Sequence, residues 1–102
     1  MLFHATMTQS EDNCPVYQRD LAPPIMESFD NLQGLSKKLD VKIHYFTWCA
    51  LDHEAYVLLE GDDLSDVSRL LFSIPMRQDI KIVPVEHLED TIAMAKEVTA
   101  PE

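Results

Sequence analysis

Four histidines and two cysteines are the side chains best suited to proton transfer or metal ligation in this 102-residue chain. Two of them, His4 and His44, fall in stretches whose residues alternate as β-strands do. Alternation through Val41-Lys42-Ile43-His44-Tyr45-Phe46-Thr47-Trp48-Cys49 sets His44, Phe46 and Trp48 on one face. The matching face of neighbouring strands carries His4, Thr6, Tyr56 and Leu58. A neutral imidazole on a partly apolar face can accept a hydrogen bond, take up a proton or bind a metal. Aromatic rings beside it give flat walls for an apolar ligand. His4, Thr6, His44, Phe46, Trp48 and Tyr56 are therefore the expected ligand-lining set. The same residues would equally serve as a packed, hydrogen-bonded interface between two copies.

A second constellation is softer. Cys14, His4, His44 and His53 have the donor types that zinc and copper prefer. No CxxC, HxxxH or HxH spacing gathers them in sequence. Cys14 precedes Pro15 in a polar stretch, which suits an exposed thiol, either an ordinary one, the favoured reading, or a reactive one, whereas Cys49 is expected to point at the core. No nucleophile, base and orienting group can be assembled from the sequence, and the two glycines exclude a Gly-rich phosphate loop.

The elements that must position these groups are legible as periods. Leu2 to Gln9 alternates as a strand, followed by a polar turn closed at Pro15. Pro23-Pro24 opens a helix carrying Ile25, Phe29, Leu32 and Leu39 on one side, with Lys37-Lys38 suited to its C-terminal dipole end. Val41 to Ala50 is a second strand and Glu54 to Glu60 a third, joined through Leu51-Asp52-His53. Gly61-Asp62-Asp63 caps a second helix with Leu64, Val67, Leu70, Leu71 and Ile74 inward, and Pro75 stops it. Asp79 to Val85 is a fourth strand, placed at an edge by Pro84. His87 to Val98 is a last amphipathic helix, with Leu88, Ile92 and Ala95 expected inward.

This order, β-α-β-β-α-β plus a C-terminal helix, predicts an α+β, ferredoxin-like fold in a single domain over residues 1–102. Two helices cover one sheet face only. The covered set is expected to be Phe3, Ala5, Met7, Val41, Ile43, Tyr45, Ala55, Val57, Leu59, Ile80 and Ile82. The open set is then His4, Thr6, His44, Phe46, Trp48, Tyr56, Leu58, Lys81, Val83 and Val85, too apolar to leave wet.

Charge narrows the partners. Eighteen acidic residues against eight basic give a formal net charge of −10. Phosphate backbones and anionic membranes need concentrated Lys and Arg, so nucleic acid and membrane surfaces are not expected partners. The start has no basic, apolar leader pattern, and two cysteines make no disulfide framework, so a cytoplasmic setting is expected.

Leu2-Phe3-His4-Ala5-Thr6, the following Ser10-Glu11-Asp12-Asn13-Cys14-Pro15 and Leu58-Leu59-Glu60-Gly61-Asp62 resemble the dimeric α/β-barrel superfamily, in particular small proteins of the DUF3303 type. The resemblance implies a homodimer whose two sheets pack face to face around a barrel. It also implies a spread of activities, from cofactor-free monooxygenases to haem-degrading enzymes and haem-dependent chlorite dismutases. The haem-degrading group uses Asn, Trp and His; Trp48 and His44 supply two of these, and no Asn falls on the same face.

Three functions are thus expected in order: a small-ligand binding or sensing protein using the barrel interior, a cofactor-free or haem-linked monooxygenase, and a copper- or zinc-binding protein. The sequence names no cofactor and does not decide whether the chain is an enzyme.

Overall fold

The computed structural model describes residues 1–101. Strands β1 (Leu2–Thr8), β2 (Lys42–Cys49), β3 (Glu54–Glu60) and β4 (Asp79–Val85) form one sheet in the order β2-β3-β1-β4, with every neighbouring pair antiparallel. Helices α1 (Ala22–Leu39) and α2 (Leu64–Phe72) follow β1 and β3, and α3 (Leu88–Val98) follows β4. This is the ferredoxin-like α+β arrangement that the alternating periods predict. Single 3-10 turns at Glu11–Asn13 and Arg19–Leu21 carry the chain from β1 to α1.

Local chemistry sets the boundaries. Pro23 and Pro24 lie in the first turn of α1, where no intrahelical donor is lost. Asp40 ends α1 in the left-handed region at φ 55°, its N–H bonding back to the carbonyls of Ser36 and Lys37. The Asp63 carboxylate accepts the N–H of Asp66 at 3.0 Å and so caps α2. Gly61 is buried where a Cβ would come within 3.3 Å of Val41 Cγ2, which lets β3 pass closely into that cap.

The core lies between α1, α2 and one sheet face. Phe3, Ala5, Met7, Ala55, Val57 and Leu59 supply the central strands, and Ile25, Leu32, Val67, Leu70 and Leu71 the helices. Pro84 stands on the edge strand β4, as its missing N–H requires.

Two expectations fail, and the first has a single cause. From β3 to β2 the pairing runs Leu59 with Ile43, then Leu58 with Tyr45, leaving His44 without a partner. This one-residue bulge reverses every later side chain of β2. Phe46 and Trp48, expected on the open face, turn to the helix side. Their rings stack within 2° of parallel at 6.2 Å, and Phe29 of α1 meets both edge-on at 5.9 and 6.0 Å. Tyr45, expected in the core, turns outward and is 40% exposed. Cys49, expected in the core, is exposed; independently of the bulge, Cys14, expected to be exposed, is buried at 1% exposure within the connection from β1 to α1. Burying two aromatic rings against a third outweighs the ladder bonds lost at one unpaired residue.

The second failure is α3. Leu88, Ile92 and Ala95 are exposed rather than inward, no residue of the helix is buried, and no other element packs extensively along it. The molecule accordingly measures 63 Å along its longest axis against 30 and 17 Å across.

Two measurements check this arrangement. A thiol reagent should modify Cys49 in the native protein and Cys14 only after unfolding; the opposite order would put β2 back in its unbulged register. Trp48→Ala should cost about 2–3 kcal/mol of stability in a denaturant titration, at or just below the lower end of the range for aromatic truncation because the ring is half-buried. A loss near zero would mean that Trp48 is not part of the helix-side core.

Candidate functional site

The open sheet face is built by alternation from all four strands. Cross-strand pairing sets Tyr45 beside Leu58, Leu58 beside His4, and His4 beside Val83 in one row. The next row holds Thr47, Tyr56, Thr6 and Lys81. His4 reaches across Leu58 to Tyr45, the two rings lying 6.4 Å apart and edge-on. His4, Thr6, Tyr56 and Leu58 are half-buried, while Val83 and Val85 are exposed at 39% and 37%.

His44 lies on this face as alternation predicts, and the bulge adds Tyr45 and Thr47 to it. The His44 Nε2 lies 2.7 Å from Oε1 of Glu60, on the neighbouring strand. A carboxylate accepts and cannot donate, so Nε2 carries the proton and the imidazole donates. That fixes the tautomer of a neutral ring and leaves Nδ1 as an acceptor. The hydrogen bond from His44 lowers the Glu60 carboxyl below the ordinary glutamate range; partial desolvation opposes this, and the charge on His44 adds to it. Tyr56 moves the other way: desolvation first, then the Glu54 carboxylate, raise its phenol. Tyr56 is therefore a neutral hydrogen-bond donor near neutral pH and not a base.

The remaining sequence-derived residues lie elsewhere. Trp48 walls an apolar groove of about 370 Å³ on the helix side, together with Phe29, Met26, Val16 and Pro15. Phe46 is packed into the core beside it. The ligand-lining set is thus divided: His4, Thr6, His44 and Tyr56 share a face, and Phe46 and Trp48 belong to the opposite one. The proposed metal ligands are divided too. His53 packs on the Tyr17 ring at 5.3 Å, Cys14 lies in the helix-side core, and His4 and His44 are separated by β3. Among the described residues, no three His, Cys, Asp or Glu side chains gather as a metal site would need.

Glu60, the hydrogen-bond partner of His44, is the residue of this candidate site that sequence reasoning missed. Its signal was present, since the last residue of β3 must lie beside the first residues of β2 in any hairpin of this length. The face can hold a ligand through imidazole nitrogens, a phenol and a threonine hydroxyl above an apolar floor. It presents no activated nucleophile.

The Glu60 shift carries a sign. A carboxyl lowered in the folded state adds stability above its unfolded pKa, and this is lost as pH falls through the folded value. Urea midpoints of the native protein should therefore drop on acidification below the glutamate range, and Glu60→Gln should flatten that part of the curve. Parallel curves for the two proteins would show that the His44–Glu60 contact contributes nothing in solution.

No family model matches the chain, and no curated protein matches it, so the DUF3303-type resemblance gains no support there. Among the described residues, no helix is long and apolar enough to cross a membrane. The chain is similar in structure to SCO4226 from Streptomyces coelicolor A3(2), at a TM-score of 0.53 and 14% identity over 83% of this chain and 99% of that one. A dimeric ferredoxin-like protein from an uncultured marine organism aligns at a TM-score of 0.33 and 12% identity, over 85% of this chain and 96% of that one, which carries no argument. At such identities the first likeness is one of fold alone, and it agrees with the ferredoxin-like topology of the sheet.

Proposed function

We propose that the chain is a small-ligand binding protein that works as a homodimer, with the ligand held between two open sheet faces. The observation that carries this reading is the composition of that face. Its centre is His4, Leu58, Tyr45 and Val83, and neither α1 nor α2 covers it. A half-apolar sheet face of this kind is usually covered. Each large apolar side chain that a second copy covers contributes about 1.5–3 kcal/mol at full burial. Charges around the centre are of both signs, with Lys42 and Lys81 among Glu54, Glu60 and Asp79. Self-pairing is thus not opposed by a field of one sign, despite the net charge of −10.

Within such a pair, His4, His44 and Tyr56 supply a small number of polar contacts above apolar walls, the usual composition of a ligand site. Glu60 orients His44 so that its free nitrogen accepts from the ligand. The monooxygenase reading loses support because Trp48 and His44 lie on opposite sides of the sheet. The copper or zinc reading loses support because Cys14 is buried away from His4 and His44.

Light scattering coupled to size exclusion should give twice the chain mass for the native protein and a monomer for Val83→Glu, which puts a charge at the centre of the pairing face. A native protein that is monomeric at every concentration ends this reading. Native mass spectrometry of the purified dimer should show a retained small molecule that His44→Ala loses and His87→Ala keeps. Equal retention by both variants would place the ligand elsewhere.

A further inference from the structure

Beyond the last residue of β1, the chain forms a groove of about 460 Å³ between the ends of β1 and β4. It adjoins the rim of the open face, with which it shares Thr8 and Asp79, but none of His4, His44 and Tyr56 lines it. Three amide side chains line it, Gln9, Asn13 and Gln78, and the Asn13 amide already donates to Ser10 Oγ. Gln9 is only 6% exposed, and neither its Nε2 nor its Oε1 has a hydrogen-bond partner. The Oε1 of Gln78 is enclosed and unpartnered in the same way. Native proteins rarely leave buried amide atoms unpaired, and these three belong to side chains that line one groove, Gln9 also bordering the apolar groove beside Trp48. Arg77 and Asp79 flank Gln78 and line the same groove, and neither forms a salt bridge among the described residues.

We propose that this groove binds a dipeptide-sized zwitterion containing a backbone-type amide. The donor and acceptor of Gln9 match such an amide: the ligand N–H donates to Oε1, and the ligand carbonyl accepts from Nε2. The ligand carboxylate pairs with the Arg77 guanidinium. Its ammonium donates to the Asp79 carboxylate and to Gln78 Oε1. Gln9 and Gln78 are unbranched, so both amides can turn toward the ligand, and doing so breaks no existing side-chain hydrogen bond at these atoms. The groove lies within the usual volume of small-molecule sites.

The test uses glycylglycine as the probe, with N-acetylglycine and glycinamide as controls lacking the ammonium and the carboxylate. Calorimetric titration of the native protein should show saturable binding of glycylglycine, with both controls at least about tenfold weaker. Gln9→Leu should weaken glycylglycine by a similar factor and also raise the Tm of the free protein, because an unpaired buried amide is replaced by an apolar side chain of like size. Arg77→Ala, at an exposed position, should leave the Tm unchanged and bring glycylglycine and glycinamide to equal affinity. Three results overturn the proposal: no saturable binding of glycylglycine, equal binding of glycylglycine and both controls by the native protein, or a lowered Tm for a folded Gln9→Leu, which would mean that ordered water already satisfies the amide. Should Gln9→Leu fail to fold, the Arg77→Ala comparison decides alone.

Discussion

One unpaired residue governs the organisation of this sheet. His44 sits where β2 has one residue more than β3 can match. Were His44 paired in strict alternation with no bulge, Phe46 and Trp48 would lie in water and Tyr45 and Cys49 in the core. With it, the three rings of Phe29, Phe46 and Trp48 close the helix-side core at the β2 edge. The same bulge brings Tyr45 and Thr47 to the open face, beside the His44 imidazole and its Glu60 partner. Core packing and the polar character of the candidate site therefore share one cause, and neither can be altered through β2 without the other.

Much of the fold was legible because its signals are local. The Pro23-Pro24 start, the Asp63 cap, the Pro75 stop and the clean alternation of β1 and β3 each follow from residues within a turn or two. The strand order also followed, since β-α-β-β-α-β with two helices on one face admits few arrangements. Within β1, β3 and β4 the inward and outward sets match expectation, with Leu58, Lys81, Val83 and Val85 on the open side.

What was not legible depends on contacts distant in sequence. The preference of Phe46 and Trp48 for the core comes from Phe29, many residues earlier, and nothing within β2 announces it. Cys14 is covered by the return of its own loop, which its polar neighbours Glu11, Asp12 and Asn13 conceal. Helix α3 has the apolar spacing of a packed helix, yet the core of the chain is already closed by α1 and α2. Periodicity records which side of an element avoids water, and it does not record which surface provides the cover. For the site, His4, Thr6, His44 and Tyr56 were found by face, whereas Glu60 required the register. Gln9 required knowledge of which polar atoms end up enclosed.

Both rims of the sheet are unsuited to accepting a further strand. On β4, Pro84 has no N–H to offer an incoming chain. On β2, the unpaired His44 breaks the regular spacing of donors and acceptors. Lateral growth into a continuous ribbon is thus impeded at each end, even though the two edge strands β2 and β4 are rich in β-branched and aromatic residues. Contact between broad surfaces satisfies itself after one partner is added, whereas contact between rims would not. The placement of a proline and a single misfit residue thereby disfavours strand-on-strand growth into fibres.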